Sequence, residues 1–211
     1  VRASFLNQGQ VCLCGSRILI QDSIFETFKN RFIDAVNELK IGDPGNVETD
    51  LGSLISPQHL EKVNSYVHLA IEEGGTILTG GNTPDIGAEF EGGNWITPTV
   101  VDGLTTESRC ATEEIFGPLV TLHSFSTDEE AIRISNNSRY GLAGSVWTSD
   151  SIRGENLARK MDTGMVWVNT WLHRDLRVPF GGVKDSGLGR EGGKWSLNFY
   201  SETTNICTMD D

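Results

Sequence analysis

The chain has 211 residues, of which 37% are hydrophobic and 22% charged, so it can form a sizeable core and is not disordered throughout. Its net charge of −12 argues against a nucleic-acid partner or a membrane-surface partner. No apolar run approaches the ~20 residues of a membrane span. The four cysteines and four histidines are scattered, which predicts neither a disulfide framework nor a metal site and indicates a reducing, cytoplasmic compartment.

Apolar periodicity predicts strands that alternate with helices. A β-branched run over 16–21 predicts a buried strand, and the apolar stripe over 24–39 predicts the helix after it. Ser56 as N-cap and Pro57 in the first turn predict a second helix, which ends at Gly74. Further strands are predicted over 76–79, 95–101, 118–125, 145–148 and 165–169, further helices over 127–137, 151–161 and 191–197, and an extended tail over 199–208. This order predicts an α/β fold with an open, largely parallel, twisted sheet and helices on both faces.

Residues 5–17 (FLNQGQVCLCGSR) place a cysteine in a small, polar, glycine-containing loop just before the first predicted strand. Neighbouring amide groups stabilise a thiolate, the nucleophilic form of cysteine, and the backbone amide at a nucleophile is a natural oxyanion donor. Taken alone, Cys12 and Cys14 are also compatible with buried, small hydrophobic side chains.

This loop resembles the cysteine signature of the NAD(P)-dependent aldehyde dehydrogenases. Five later segments resemble motifs of the same family, in its order and at its spacing: 113–118 (EEIFGP), 136–142 (NNSRYGL), 164–169 (GMVWVN), 179–184 (PFGGVK) and 186–191 (SGLGRE). The six matches span nearly the whole chain.

The resemblance implies an aldehyde dehydrogenase catalytic domain over 1–199 and a tail over 200–211. The strand of this tail is expected to add to a neighbouring subunit in a homodimer or homotetramer. Because no glycine-rich phosphate-binding motif is present and the chain starts at Val1, we expect the cofactor domain upstream. The resemblance also places the general-base glutamate and the oxyanion asparagine upstream, so the isolated chain is expected to be inactive as a dehydrogenase.

For the chemistry, the resemblance assigns the nucleophile to Cys12. Its thiolate attacks an aldehyde to give a thiohemiacetal, a hydride passes to NAD or NADP, and the remaining thioester is hydrolysed to an acid. Glu114 and Phe116 match the positions that hold the nicotinamide half of the cofactor. Without the resemblance, Glu113 and Glu114 are typical of solvated loop acids.

Four further residues match positions near the family's site. Lys62 and His59 fall near another cofactor contact, although a solvated helix face explains them as well. Glu191 matches a proton-relay carboxylate of some members; the alternative is a structural pair with Arg190. Asn169 is expected to line or support the substrate cavity, or else to form a turn. Phe180 is likewise expected to line or support that cavity.

The segment 167–180 (WVNTWLHRDLRVPF) resembles the 2-aminomuconic and 2-hydroxymuconic semialdehyde dehydrogenase branch of the family. Substrates of this branch carry a carboxylate away from the aldehyde, and a guanidinium binds a carboxylate through two parallel hydrogen bonds. We therefore predict that Arg174, and secondly Arg177, binds an anionic aldehyde. The alternative is a surface ion pair with Asp175.

The sequence is also compatible with two rival functions. One is a thiol hydrolase in which His173 activates Cys12. The other is a catalytically incompetent, truncated product that acts only as an oligomerisation partner.

Overall fold

Eight short strands and seven helices alternate along residues 1–210, the part of the chain that the computed structural model describes. The strands are β1 Arg17–Gln21, β2 Thr76–Thr79, β3 Thr99–Asp102, β4 Leu119–Phe125, β5 Tyr140–Gly141, β6 Ala143–Val146, β7 Met165–Val168 and β8 Val183–Lys184. The helices are α1 Arg2–Phe5, α2 Phe25–Asn37, α3 Pro57–Glu72, α4 Arg109–Thr112, α5 Asp128–Asn136, α6 Ser151–Ala158 and α7 Gly193–Tyr200, with short 3₁₀ turns at Leu6–Gly9, Asp22–Ile24 and Ala88–Phe90.

The largest sheet has the strand order β1-β4-β3-β2. Strand β4 pairs in parallel with both β1 and β3, and β2 closes the other edge antiparallel to β3. Two small sheets accompany it: β6 pairs in parallel with β7, and β5 pairs antiparallel with β8. The predicted α/β class with a largely parallel sheet is confirmed, although the strands form three hydrogen-bonded sheets instead of one.

Helices cover both faces of the four-stranded sheet because successive strand residues point to opposite sides. Val101 of β3 packs in one buried cluster with Val63 of α3. Its neighbour Val100 packs in a second cluster with Phe32 of α2. Both valines of β3 are fully buried, so the sheet lies between two apolar cores.

A local signal explains where α3 begins, whereas two other predicted element starts were wrong. The Ser56 hydroxyl accepts a hydrogen bond from the backbone N–H of His59 at 3.2 Å, as expected of an N-cap. The strand predicted over 95–101 begins only at Thr99, since Pro98 before it has no N–H to donate. The helix predicted from Glu191 begins at Gly193 because Glu191 pairs with Phe180 in an antiparallel bridge.

The predicted C-terminal tail has two parts in the structure. Phe199 and Tyr200 complete the last turn of α7, whereas 201–210 are exposed and have no regular secondary structure. Asp211, the last residue of the predicted tail, lies outside the described residues. Within 1–210, no helix has both the length and the apolar character that crossing a bilayer requires. No cluster of three or more potential metal ligands occurs in the same range.

Candidate active site

A tight turn presents the first cysteine of the thiol loop to solvent. The backbone N–H of Cys14 donates to the carbonyl of Val11 at 2.9 Å, which closes a turn with Cys12 at its second position. Cys12 is exposed, whereas Cys14 is half-buried. Burial raises the pKa of the Cys14 thiol to about 11. The neighbouring Cys14 is therefore mostly protonated near neutral pH, and Cys12 is the accessible sulfur.

Backbone geometry brings the thiol loop against residues 113–117. Asn7, Gln8 and Gly9 all lie in the left-handed region, with φ of 51°, 58° and 68°. A Cβ on Gly9 would lie 2.3 Å from the carbonyl oxygen of Gly117, so only glycine allows this approach. The loop is held from another side by Gln10, whose side-chain oxygen accepts a hydrogen bond from the backbone N–H of Ile55 at 3.1 Å.

The structure brings the four predicted cofactor residues together. Lys62 Nζ donates to the carbonyl of Glu114 at 2.9 Å, and His59 Nε2 lies 2.6 Å from the carbonyl oxygen of Phe116. Both α3 side chains therefore contact the loop backbone. Phe116 has a φ of 60°, and its ring is among the exposed large hydrophobic groups. Glu114 is exposed, and its carboxylate makes no hydrogen bond within the described residues.

The carboxylate of the neighbouring residue, Glu113, is instead hydrogen-bonded to other side chains. Its carboxylate accepts hydrogen bonds from Arg109 Nε at 2.8 Å and from the Tyr66 hydroxyl at 2.6 Å. Hydrogen bonds from Arg109 and then Tyr66 lower the pKa of Glu113 to about 2. Burial and the nearby carboxylate raise the pKa of Tyr66 to about 12. Of the two adjacent glutamates, only Glu114 keeps its carboxylate available.

A cavity of about 190 Å³ lies between β7, the segment 173–180 and residues 191–192. It brings three predicted residues together. The guanidinium carbon of Arg174 lies 4.8 Å from the centre of the Phe180 ring, a cation–π distance. Phe180 and Glu191 exchange two backbone hydrogen bonds of 2.8 Å each.

Trp171, just before the cavity-lining segment 173–180, also contacts the thiol loop. Trp171 Nε1 donates to the carbonyl of Leu13, the residue after Cys12, at 3.0 Å. We did not single out Trp171 or Tyr66 from the sequence. The available signal was that each is a large aromatic residue with one polar atom, and such an atom seeks a partner when the ring is partly buried.

Two other predicted substrate residues have their polar groups engaged elsewhere. Arg177 forms an ion pair with Asp175, from Nε to Oδ1 at 2.9 Å, and its side chain remains 87% exposed. This pair lowers the pKa of Asp175. The surface-pair alternative thus describes Arg177 and not Arg174. Asn169, with a φ of 54°, accepts the backbone N–H of Thr148 through Oδ1 at 2.8 Å and does not line the cavity.

Two alternative contacts do not form among residues 1–210. Arg190 donates to the carbonyls of Gly182 and Gly189, at 2.8 and 2.7 Å, and forms no ion pair with Glu191. His173 is exposed and makes no hydrogen bond to Cys12 within that range, so the geometry offers no support for a Cys–His hydrolase.

Comparison with known proteins gives consistent matches. The sequence profile of the aldehyde dehydrogenase family matches residues 1–206. A 2-aminomuconic 6-semialdehyde dehydrogenase of a Pseudomonas species is 47% identical over 211 residues, 100% of this chain and 43% of the relative. The 2-hydroxymuconic semialdehyde dehydrogenase of Pseudomonas putida is 45% identical over 207 residues, 98% of this chain and 43% of the relative.

Solved structures of aldehyde dehydrogenases are also similar to this chain. The crystal structure of betaine aldehyde dehydrogenase from Staphylococcus aureus in complex with NAD⁺ has a TM-score of 0.91 and 41% identity. The match covers 94% of this chain and 39% of that chain. The chain therefore spans less than half the length of these relatives.

Proposed function

This chain belongs to the aldehyde dehydrogenase family, and we propose that it supplies the catalytic domain of an enzyme that oxidises a carboxylate-bearing semialdehyde of the muconic type to its acid. The observation that carries this proposal is the exposed Cys12 thiol on a closed turn, in a loop that packs through Gly9 against the loop of Glu114 and Phe116. Similarity to two muconic semialdehyde dehydrogenases supports the substrate class. Because the chain spans 43% of each of them, the activity is proposed for a full-length enzyme that contains it.

In the proposed reaction, the Cys12 thiolate adds to the aldehyde carbon, and the oxygen takes up a proton to complete a thiohemiacetal. Loss of a hydride and a proton from this group leaves a thioester on Cys12. Water then cleaves the C–S bond, which releases the acid and restores the thiol. Glu191 is assigned a secondary role in relaying protons; the general base and the oxyanion asparagine are assigned to parts of the full-length enzyme outside this chain.

Two exposed groups of the loop 113–116, the Glu114 carboxylate and the Phe116 ring, suit the nicotinamide half of NAD or NADP. When bound, this cofactor supplies the hydride acceptor. The Glu114 carboxylate is exposed and can accept hydrogen bonds from both hydroxyls of a ribose. The Phe116 ring, 37% exposed, can lie beside the nicotinamide and restrict its angle. His59 and Lys62 belong to the same site through the loop carbonyls that they bind.

Arg174 is proposed to bind the substrate carboxylate. Its guanidinium lines the cavity and forms no ion pair within the described residues, whereas Arg177 is paired with Asp175. The cation–π contact with Phe180 restrains the guanidinium while its N–H groups remain free to donate. With a net charge of −12, the chain needs such a local cation to attract an anion.

Replacing Arg174 in the full-length enzyme tests the substrate class. Arg174→Ala is expected to lower kcat/KM for a muconic-type semialdehyde by about 10- to 100-fold, since a hydrogen bond to a charged group contributes about 1.5–3 kcal/mol. An uncharged aliphatic aldehyde should be affected less than about threefold. Arg177→Ala is the matched control and should change both values little. An equal loss with both aldehydes, or no loss, would contradict the assignment.

The division of the molecule is part of the proposal: residues 1–199 as catalytic domain and 200–211 as a tail that pairs with another subunit in a homodimer or homotetramer. We assign a reducing compartment such as the cytoplasm, because the nucleophile has to remain a free thiol.

The isolated chain should form no NADH from NAD and aldehyde, and NADH formation by the purified 211-residue protein would overturn this expectation. The truncated-product alternative predicts that co-expression with the full-length enzyme changes its size and activity.

A further inference from the structure

One face of α3 binds the loop 113–116 at three points. His59, Lys62 and Tyr66 are spaced three and four residues apart and therefore share this face. From the N-terminal end of the helix, they contact the carbonyl of Phe116 at 2.6 Å, the carbonyl of Glu114 at 2.9 Å and the carboxylate of Glu113 at 2.6 Å. The loop thus runs antiparallel to the helix, with one contact for nearly every residue.

Of the three contacts, the one at Glu113 is supported by the most hydrogen bonds. Its carboxylate also accepts Arg109 Nε at 2.8 Å and Nη2 at 3.1 Å, a two-point geometry. The backbone N–H of Arg109 in turn donates to Glu73 Oε1 at 2.9 Å, just beyond the end of α3. Since the pKa of Glu113 is lowered to about 2, this anchor stays ionised throughout the neutral range.

The three contacts engage the backbone and Glu113 but leave two side chains available. The Glu114 carboxylate and the Phe116 ring are both exposed. Phe116 holds a left-handed φ of 60°, which a non-glycine residue adopts at a cost, so its conformation depends on contacts such as that with His59. The rings of His59 and Phe116 also meet edge to face, 6.3 Å apart.

We propose that Tyr66 and Glu113 are positioning residues of the cofactor site: they hold the loop so that Glu114 and Phe116 meet the nicotinamide riboside. This inference rests on the proposed function and extends it to two residues that do not themselves contact the cofactor. The other two α3 side chains act in the same way, through the loop carbonyls.

Binding measurements on the full-length enzyme test this role. Tyr66→Phe removes one hydroxyl, and Glu113→Gln removes the charge at nearly constant volume. Tyr66→Phe should raise the dissociation constant for NAD about 5- to 10-fold, as expected for the loss of one hydrogen bond, and Glu113→Gln, which also weakens the pair with Arg109, should raise it at least as much. The dissociation constant for ADP, which lacks the nicotinamide riboside, should change less than about twofold, because the loop supports only the other half of the cofactor. Tyr140→Phe is the control, since the Tyr140 hydroxyl has no hydrogen-bond partner within residues 1–210.

A purely structural role would weaken NAD and ADP equally, and that result, or unchanged binding of both, would overturn the inference. A Tyr66→Phe/Glu114→Gln double variant should lose less NAD affinity than the two single losses combined if Tyr66 acts through the loop, because Glu114 is one of the two groups that the loop presents; fully additive losses would contradict it. If Tyr66→Phe does not fold, Glu113→Gln decides alone. If the wild-type enzyme neither binds NAD nor oxidises aldehydes, the proposed function and this inference are both overturned. If the wild-type enzyme binds NAD normally and the variants keep its ratio of NAD to ADP dissociation constants, only the positioning role is overturned.

Discussion

At the scale of single residues, two cysteines that are two positions apart occupy different environments. Cys12 is exposed on its turn, and Cys14 is half-buried with its sulfur 3.8 Å from the carbonyl oxygen of Leu6. The residue types alone are compatible with either sulfur as the nucleophile, and the family resemblance assigns that role to Cys12. Burial is the property that separates them, and burial depends on residues far along the chain.

This difference predicts selective alkylation. During a short pulse of iodoacetamide at pH 8, the exposed Cys12 and Cys207 should be labelled. Cys14 and Cys110 should be spared, because burial raises their pKa values to about 11 and about 12. The ionised fraction of Cys14 should be small at pH 8 and should rise about tenfold for each pH unit until the pH comes within a unit of its pKa. Peptide mass spectrometry reads out each site. Labelling of Cys14 as fast as Cys12 would show that the turn is not held as described.

At the scale of elements, local signals predicted the long segments well and the short ones poorly. The N-cap Ser56 and Pro57 define the start of α3 in the sequence and in the structure. The two-residue β5 and β8 have no such signal, and the four-residue α4 has only the N-cap Ser108, because a few residues carry neither a period nor a strong propensity. Their conformation is determined by distant partners, such as Glu73, which accepts a hydrogen bond from the N–H of Arg109.

The contact between the thiol loop and residues 113–117 yields a second prediction. Gly9→Ala places a Cβ 2.3 Å from the carbonyl oxygen of Gly117 and also requires alanine to adopt a φ near 68°. We expect the free energy of unfolding of the 211-residue chain, measured by urea denaturation, to fall by about 1–3 kcal/mol. Gly15→Ala is the matched control: a Cβ there has no atom within 4 Å. Equal effects of the two variants would argue against the close approach.

At the scale of the whole molecule, the site assembles from segments that are more than a hundred residues apart. Gly9 meets Gly117, and Trp171 donates to Leu13. The motifs identified the segments, and the alternation of strands and helices predicted a largely parallel sheet with helices on both faces. The sequence could not predict the contacts between segments, because each depends on how the cores bring the loops together. It likewise could not show that Arg177 is paired while Arg174 lines the cavity.

The proposed reaction depends on Cys12 as the nucleophile, and trapping the acyl intermediate on its sulfur tests this role directly. The full-length enzyme should be mixed with NAD and a muconic-type semialdehyde, quenched in acid during turnover and digested for peptide mass spectrometry. We expect a mass increase equal to the acyl group on Cys12, absent when NAD is omitted and absent in Cys12→Ser. NADH formation with the adduct on Cys14, or undiminished turnover by Cys12→Ser, would contradict it.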